Sequence, residues 1–302
     1  MSVHEISAET AAAPTPEQPQ APAGPRPGPI RRRRERHPVA FVVLVVASVL
    51  ITLPFVELLI NALTPSSDIG ADRWLPSAFR WANFTDALHY IPYLSLARNS
   101  LVLSSLFGVL TTFSSALTGY GFARLHGPGK KILFGVLVMT MMVPPIVTLI
   151  PTYLLFSLYN LVGTYWPWVF WGAAGTPYTI FLYRQFFSSL PKELEEAAIL
   201  DGAGRIRIFC QIFLPLSRPL LVTAFVLAFN AVWGDFIGPD LFLNSSNTTL
   251  AVGISSGYDN TAGYPVYNLL AAGALLYIVP VVVLFLFAQR SYVRGFASSG
   301  LK

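Results

Sequence analysis

The 302-residue chain is 54% hydrophobic, 14% aromatic and only 12% charged, against roughly 25% charge in soluble domains, which excludes a soluble globular reading and marks a membrane protein. Its 20 Lys and Arg outnumber 15 Asp and Glu for a net charge of +5, but the basic residues flank apolar runs instead of covering one face, so the charge reports topology and not nucleic acid. Cys210 stands alone, which excludes an intrachain disulfide, and His4, His37, His89 and His126 are too scattered for a metal site.

Residues 1–37 open the chain as a Pro- and Ala-rich stretch closed by the basic cluster Arg31-Arg32-Arg33-Arg34-Glu35-Arg36. So few bulky apolar residues cannot build a core, and a disordered cytoplasmic tail is expected. The apolar run Val39 to Val56 follows. A secretory signal is the alternative reading, but the run exceeds the usual h-region of roughly 7–15 residues and no small-residue cleavage site follows it, so a retained first span is expected.

Five further stretches, near 98–123, 132–158, 164–187, 212–238 and 266–289, reach the roughly 20 residues that cross a hydrocarbon core. The predicted fold class is therefore an all-α membrane protein of six transmembrane helices, occupying 38–302. Arg124, Lys130 and Lys131, the stretch Arg184 to Arg218, and Arg290, Arg294 and Lys302 fall on the side of the N-terminal cluster, whereas the opposite side has only Arg73 and Arg80 in the first loop, with Arg98 at its edge, and 159–163 and 239–265 contain no Lys or Arg. The positive-inside rule then places both termini in the cytoplasm. Pro54, Pro144, Pro145, Pro151, Pro167, Pro177, Pro219 and Pro280 interrupt most spans, which a packed bundle tolerates better than isolated anchors. The second span has no proline; Ser100, Ser104, Gly108, Thr112, Ser115 and Gly119 form a small-residue stripe along it, suited either to close helix packing or to lining a path.

Chemistry-bearing groups are few. Glu57 reads as a solvated span end, and Asp235, beside Trp233, as an interfacial cap or hinge, or as part of a translocation path. No relay of acids and histidines suggests ion coupling, and no HExxH, GxSxG or GxxxxGK[ST] pattern occurs. Neither catalytic residues, nor a cofactor, nor a metal is expected, and the chain does not read as an enzyme. Energy for uphill transport must come from another chain.

The segment from Leu190 to Pro215 is the most informative. Pro191 suits the first position of a helix, and Glu193, Glu195 and Glu196 favour its positive end. Leu194, Ala197 and Ala198 share one narrow apolar stripe, Gly202 ends the helix in a left-handed turn, and Arg205 to Phe213 forms a second short piece leading into the fifth span.

Glu196-Ala197-Ala198, Gly202 and, after nine residues, Ile212-Phe213-Leu214-Pro215 resemble the EAA loop of binding-protein-dependent ABC importer permeases, with every fixed position filled. Arg98-Asn99-Ser100, Gly119-Tyr120-Gly121-Phe122-Ala123-Arg124, Met142-Val143-Pro144, Leu149-Ile150-Pro151 and the C-terminal segment resemble the MalG-like branch of carbohydrate permeases. Gly234 stands where that family has Asn, and Gly121 where it has Ala. The resemblance implies a type I importer permease in a bacterial inner membrane, moving a sugar or oligosaccharide in company with a second permease subunit, two ATP-binding subunits, an extracytoplasmic binding protein and the lipid bilayer. It implies ATPase coupling through Glu195, Glu196, Ala197, Ala198, Asp201, Gly202, Ile212, Leu214 and Pro215, and a substrate path near Asn230, Trp233 and Asp235. The rival readings are an ion-coupled secondary transporter and a non-transporting membrane interaction protein. If the charge asymmetry sets the topology, a cysteine at Asn247 reacts with an impermeant thiol reagent added outside intact cells and one at Gly204 does not; the reverse labelling would overturn it.

Overall fold

The computed structural model describes residues 38–69 and 74–299, the last ten of these by backbone alone. The tail and basic cluster at 1–37, Arg73 and the final three residues lie outside the described residues. The chain divides into two units, Met1–Ile51 and Thr52–Lys302. The described residues of the first are the opening half of helix α1, Pro38–Leu63, an uninterrupted apolar run whose Ser48 hydroxyl donates back to the Leu44 carbonyl at 2.7 Å, satisfying itself within the helix.

In the second unit α1 continues through Pro54 and ends at Leu63. The short helix α2, Ala82–Tyr90, secures that end. Asn83, fully buried, donates to the carbonyls of Ala62 and Thr64, both at 2.9 Å, and accepts from Asn268 at 3.3 Å. One amide thus satisfies acceptors that the end of α1 leaves open and joins α2 to α14, Tyr267–Ser299.

Helix α3, Tyr93–Arg124, is the centre of the unit. All six small residues of its stripe are buried. A Cβ on Gly119 would stand 2.5 Å from the Tyr183 Cβ and 3.1 Å from backbone atoms of Arg184 and Ile180, so α3 and α7, Pro177–Ser189, touch backbone to backbone. Gly108 accepts the Phe225 ring of α11, Arg218–Trp233, in the same way. The stripe is therefore a packing surface; of α3, Phe107 is the residue that reaches the cavity described below.

Helices α1, α3 and α14 are each long and apolar enough to cross a membrane. Where sequence predicts a single span over 132–158, the structure has α4, Lys130–Thr140, and α5, Pro145–Leu158, bent by 101° about Pro144-Pro145. The span predicted over 164–187 is divided into α6, Trp166–Ala174, and α7, because Gly175 turns at φ +74 and Pro177 restarts the helix. The predicted fifth span, 212–238, begins later, with α11 at Arg218 after an 81° bend. Pro215 and Pro219 each remove a backbone donor from that stretch. The described residues thus hold three continuous candidate spans, or up to five if each bent pair is one.

Gly119→Ala is expected to destabilise the protein by about 1–3 kcal/mol through overpacking, read as a lower melting temperature in detergent. Gly121→Ala, with open space around its Cβ, should show no loss; equal melting of the two variants would remove the close α3–α7 approach.

Candidate functional site

Two regions gather the chemistry expected from sequence. The first is the loop 190–215. Leu190 is extended at ψ 147, as the residue before a proline is constrained to be. Helix α8 is Glu193–Leu200, and its first bonds run to the Lys192 carbonyl from the amides of Glu195 at 2.9 Å and Glu196 at 3.0 Å. Pro191 therefore lies just outside the helix instead of at its first position, held there by the extended conformation it imposes on Leu190. At the other end the Gly202 amide donates to the Ile199 carbonyl at 3.0 Å and that of Ala203 to Ala198 at 2.9 Å. This pair of bonds is a Schellman closure, and it requires the φ of +76 that Gly202 adopts. After Gly204 the chain forms α9, Arg205–Ile208, a π turn at Phe209–Phe213, and α10, Leu214–Leu216, one continuous helical run that is the second helix expected, with a π turn inside it.

The expected coupling residues separate into two faces. Glu195 and Ala198 point inward and are buried, and Ile212 and Leu214 are half-buried against the cluster of Tyr120, Phe187 and Phe213. Glu196, Ala197, Asp201, Gly202 and Pro215 are exposed. Leu194 and Ala197, expected on one stripe with Ala198, lie on the outer side, where Ile199 and Leu200 join them, Leu200 being 89% exposed. Sequence reasoning misses this outer apolar face because it ranks residues by spacing, and the inward direction is chosen by an ion pair. Glu195 Oε1 accepts from Arg205 at 2.5 Å, and its other oxygen stands 3.9 Å from Arg124 Nη1. In the sequence neither arginine is tied to Glu195: Arg124 closes a family-like segment and Arg205 opens the second short piece.

The second region is an open cavity of about 870 Å³ lined by α3, α5, α6, α11 and α12, Ile237–Phe242. Trp168, Trp171, Phe107 and Ile146 supply apolar walls; Asn230, Asp235 and Thr176 supply polar groups. At the break after α6 the Gly172 carbonyl accepts from the Gly175 amide at 3.1 Å and from the Ser114 hydroxyl of α3 at 2.7 Å. Asp235 caps the start of α12, its Oδ1 accepting from the Gly238 amide at 3.1 Å, and it also lines the cavity. Trp233 does not line the cavity. It is buried, stacked on Phe229 and Tyr277 at 5.5 and 5.2 Å, and its carbonyl accepts from the Tyr277 hydroxyl. One helical step separates it from the lining residue Val232, too fine a distinction for a sequence pattern. Glu57 is exposed. Among the described residues no three of His, Cys, Asp and Glu form a metal-holding group.

Broken helices around an open cavity, with the short helix α8 and its glycine turn beside the bundle, fit an all-α membrane permease of the ABC-importer type. Residues 108–296 match the family described as binding-protein-dependent transport system inner membrane component, and the chain belongs to that family. It is 34% identical over 265 residues to the probable ABC transporter permease protein YurM of Bacillus subtilis (strain 168), covering 87% of each chain. It is 30% identical over 253 residues to the melibiose/raffinose/stachyose import permease protein MelC of the same organism, covering 83% of this chain and 91% of the relative. The fold is similar to that of a crystal structure of a bacterial ABC transporter involved in the import of the acidic polysaccharide alginate, with a TM-score of 0.73 at 19% identity over 83% of this chain and 94% of that one. A permease of this family moves solute and transforms nothing, and membership sets aside the ion-coupled carrier and the interaction protein.

With Cys210 replaced by Ser, Ala231→Cys in the cavity wall should react with a small maleimide at least about tenfold faster than Ala228→Cys, 5% exposed and one turn away, because buried thiols are inert. Equal rates would close the cavity.

Proposed function

We propose that this chain is one of two permease subunits of a type I ABC importer for a sugar or oligosaccharide, of the MalG-like branch, and that it crosses a bacterial inner membrane six times with both termini in the cytoplasm. The six spans are α1, α3, the α4–α5 pair, the α6–α7 pair, α11 and α14, with 38–302 as the permease domain and the residues before it as a cytoplasmic tail. The observation that carries the reading is α8: an eight-residue helix turned back sharply at Gly202, with Leu194, Ile199 and Leu200 left uncovered. Apolar side chains on a short helix outside the bilayer need a cleft to enter, and that of an ATP-binding subunit is the occupant which family membership supports. When two such subunits close on ATP they move both coupling helices, and the bundles rock to open the cavity alternately to each side. An extracytoplasmic binding protein delivers the solute.

Support for a sugar comes from the cavity and the relatives. Aromatic walls offer flat apolar faces to the carbon skeleton of a pyranose, and Asn230, Asp235 and Thr176 offer partners to its hydroxyls. Besides MelC, the maltodextrin transport system permease protein MdxG of Bacillus subtilis (strain 168) is 35% identical over 212 residues, 70% of this chain and 76% of that one.

Gly202→Val tests the reading. Nothing lies within 4 Å of the added Cβ, so its cost is the left-handed backbone, roughly 1–2 kcal/mol, and the bundle should insert and express normally. Recovery of the ATPase with the permease pair should fall and uptake of a labelled sugar should cease, with Glu196→Lys milder in the same direction. Full uptake by Gly202→Val would reduce the loop to a connector.

A further inference from the structure

We propose that Arg124 is the positioning residue that locks the coupling loop to the end of α3, so that displacement of α8 moves α3. The inference rests on the reading of α8 as the docking helix and adds how its movement enters the bundle.

Eight residues are too few to remain helical without tertiary support, yet α8 touches its own chain through Glu195 and Ala198 while its other side chains are exposed. The Ala198 contact is apolar and has no preferred direction. Two directional contacts reach Glu195: a hydrogen bond from Arg205 of α9 at 2.5 Å, and a 3.9 Å ion pair with the last residue of α3, Arg124, whose side chain is 6% exposed. Its Nε and Nη2 donate to the Phe187 carbonyl at 3.0 and 2.6 Å, Nη2 donates again to the Leu190 carbonyl at 2.5 Å, Nη1 faces Glu195, and the guanidinium lies 5.0 Å above the Phe213 ring. A single planar group therefore holds the end of α3, the closing turn of α7, the first turn of α8 and the π turn that leads into α11.

The chemistry calls for arginine in particular. Carbonyls at the end of α7 carry the negative pole of that helix, and a rigid fork of five donors bonds two carbonyls while its third nitrogen faces a carboxylate as an ion pair, which a lysine ammonium on a flexible stem cannot. Glu195 is the joint on the other side, since its second oxygen is taken by Arg205 of α9. A push on α8 is thus delivered to a buried, hydrogen-bonded knot with little freedom to slip.

The test uses the whole importer, this chain with its partner permease and ATPases in nanodiscs, carrying Cys210→Ser and the reporter Ala231→Cys. Maleimide labelling is compared between the nucleotide-free complex and the complex trapped with ATP and vanadate. With Arg124 intact, the labelling rate should change by about tenfold between the two states, the size expected when two conformations differ in access. With Arg124→Lys the ATPases should copurify in undiminished yield while the change shrinks to about twofold or less, and Glu195→Gln, which keeps the shape and removes the charge, should move it in the same direction. A merely structural role would lower yield and leave the surviving complexes with the full change. An undiminished change in both variants overturns the inference and leaves the importer reading intact. Loss of the ATPases in both also overturns it, making Arg124 part of the docking surface. If the chain with Arg124 intact recruits no ATPase, the importer reading fails first.

Discussion

Everything in this protein depends on how closely α3 can be approached. In a hydrocarbon solvent apolar side chains gain nothing by leaving lipid for one another, so helices associate where their surfaces fit at short range. Small residues every third or fourth position along α3 provide that fit: Gly119 brings α7 to backbone contact, Gly108 receives Phe225 of α11, and Gly172 of α6 rests on Leu110. Three helices are thereby registered against one axis, and both the cavity and the loop inherit their placement from it.

Broken helices follow from the same constraint. Pro144-Pro145, Gly175 with Pro177, and Pro215 with Pro219 forfeit backbone bonds, which is sustainable at membrane depth where neighbours supply partners or the break lines a cavity. At the end of α6 the Ser114 hydroxyl adds a second bond to the Gly172 carbonyl, which also accepts from the Gly175 amide. Gly175 and Thr176 themselves face the cavity. Two of the three departures from helical regularity, at Pro145 and at Gly175-Thr176, therefore coincide with the cavity wall.

The loop divides its labour by face. Inward, the Glu195 carboxylate meets two arginines, Arg124 buried and Arg205 half-exposed; outward, Leu194, Ile199 and Leu200 are exposed. Such a charge cluster adds little stability compared with an apolar contact, but it is directional where an apolar contact is not. That suits an element whose position matters more than its adhesion.

Much of this was legible in the sequence, because the signals are local. Apolar length and charge asymmetry marked the membrane segments, the period of small residues marked the packed side of α3, and Gly202 marked a left-handed turn that the backbone indeed adopts at φ +76. Each needs a window of only a few residues. What the sequence could not decide depends on partners far along the chain. Glu195 turned inward because Arg124, 71 positions earlier in the numbering, stands with its guanidinium on the carbonyls that end α7. Trp233 left the cavity wall because Tyr277 of α14 offers a ring to stack upon. Proline positions announced interruptions, but whether a span bends by 101° or is merely kinked depends on what fills the space beside it. Periodicity in one strip of chain assigns residues to a face; only the packed neighbours determine which face turns inward, since that choice is made by charge, hydrogen bonding and volume contributed from elsewhere in the fold.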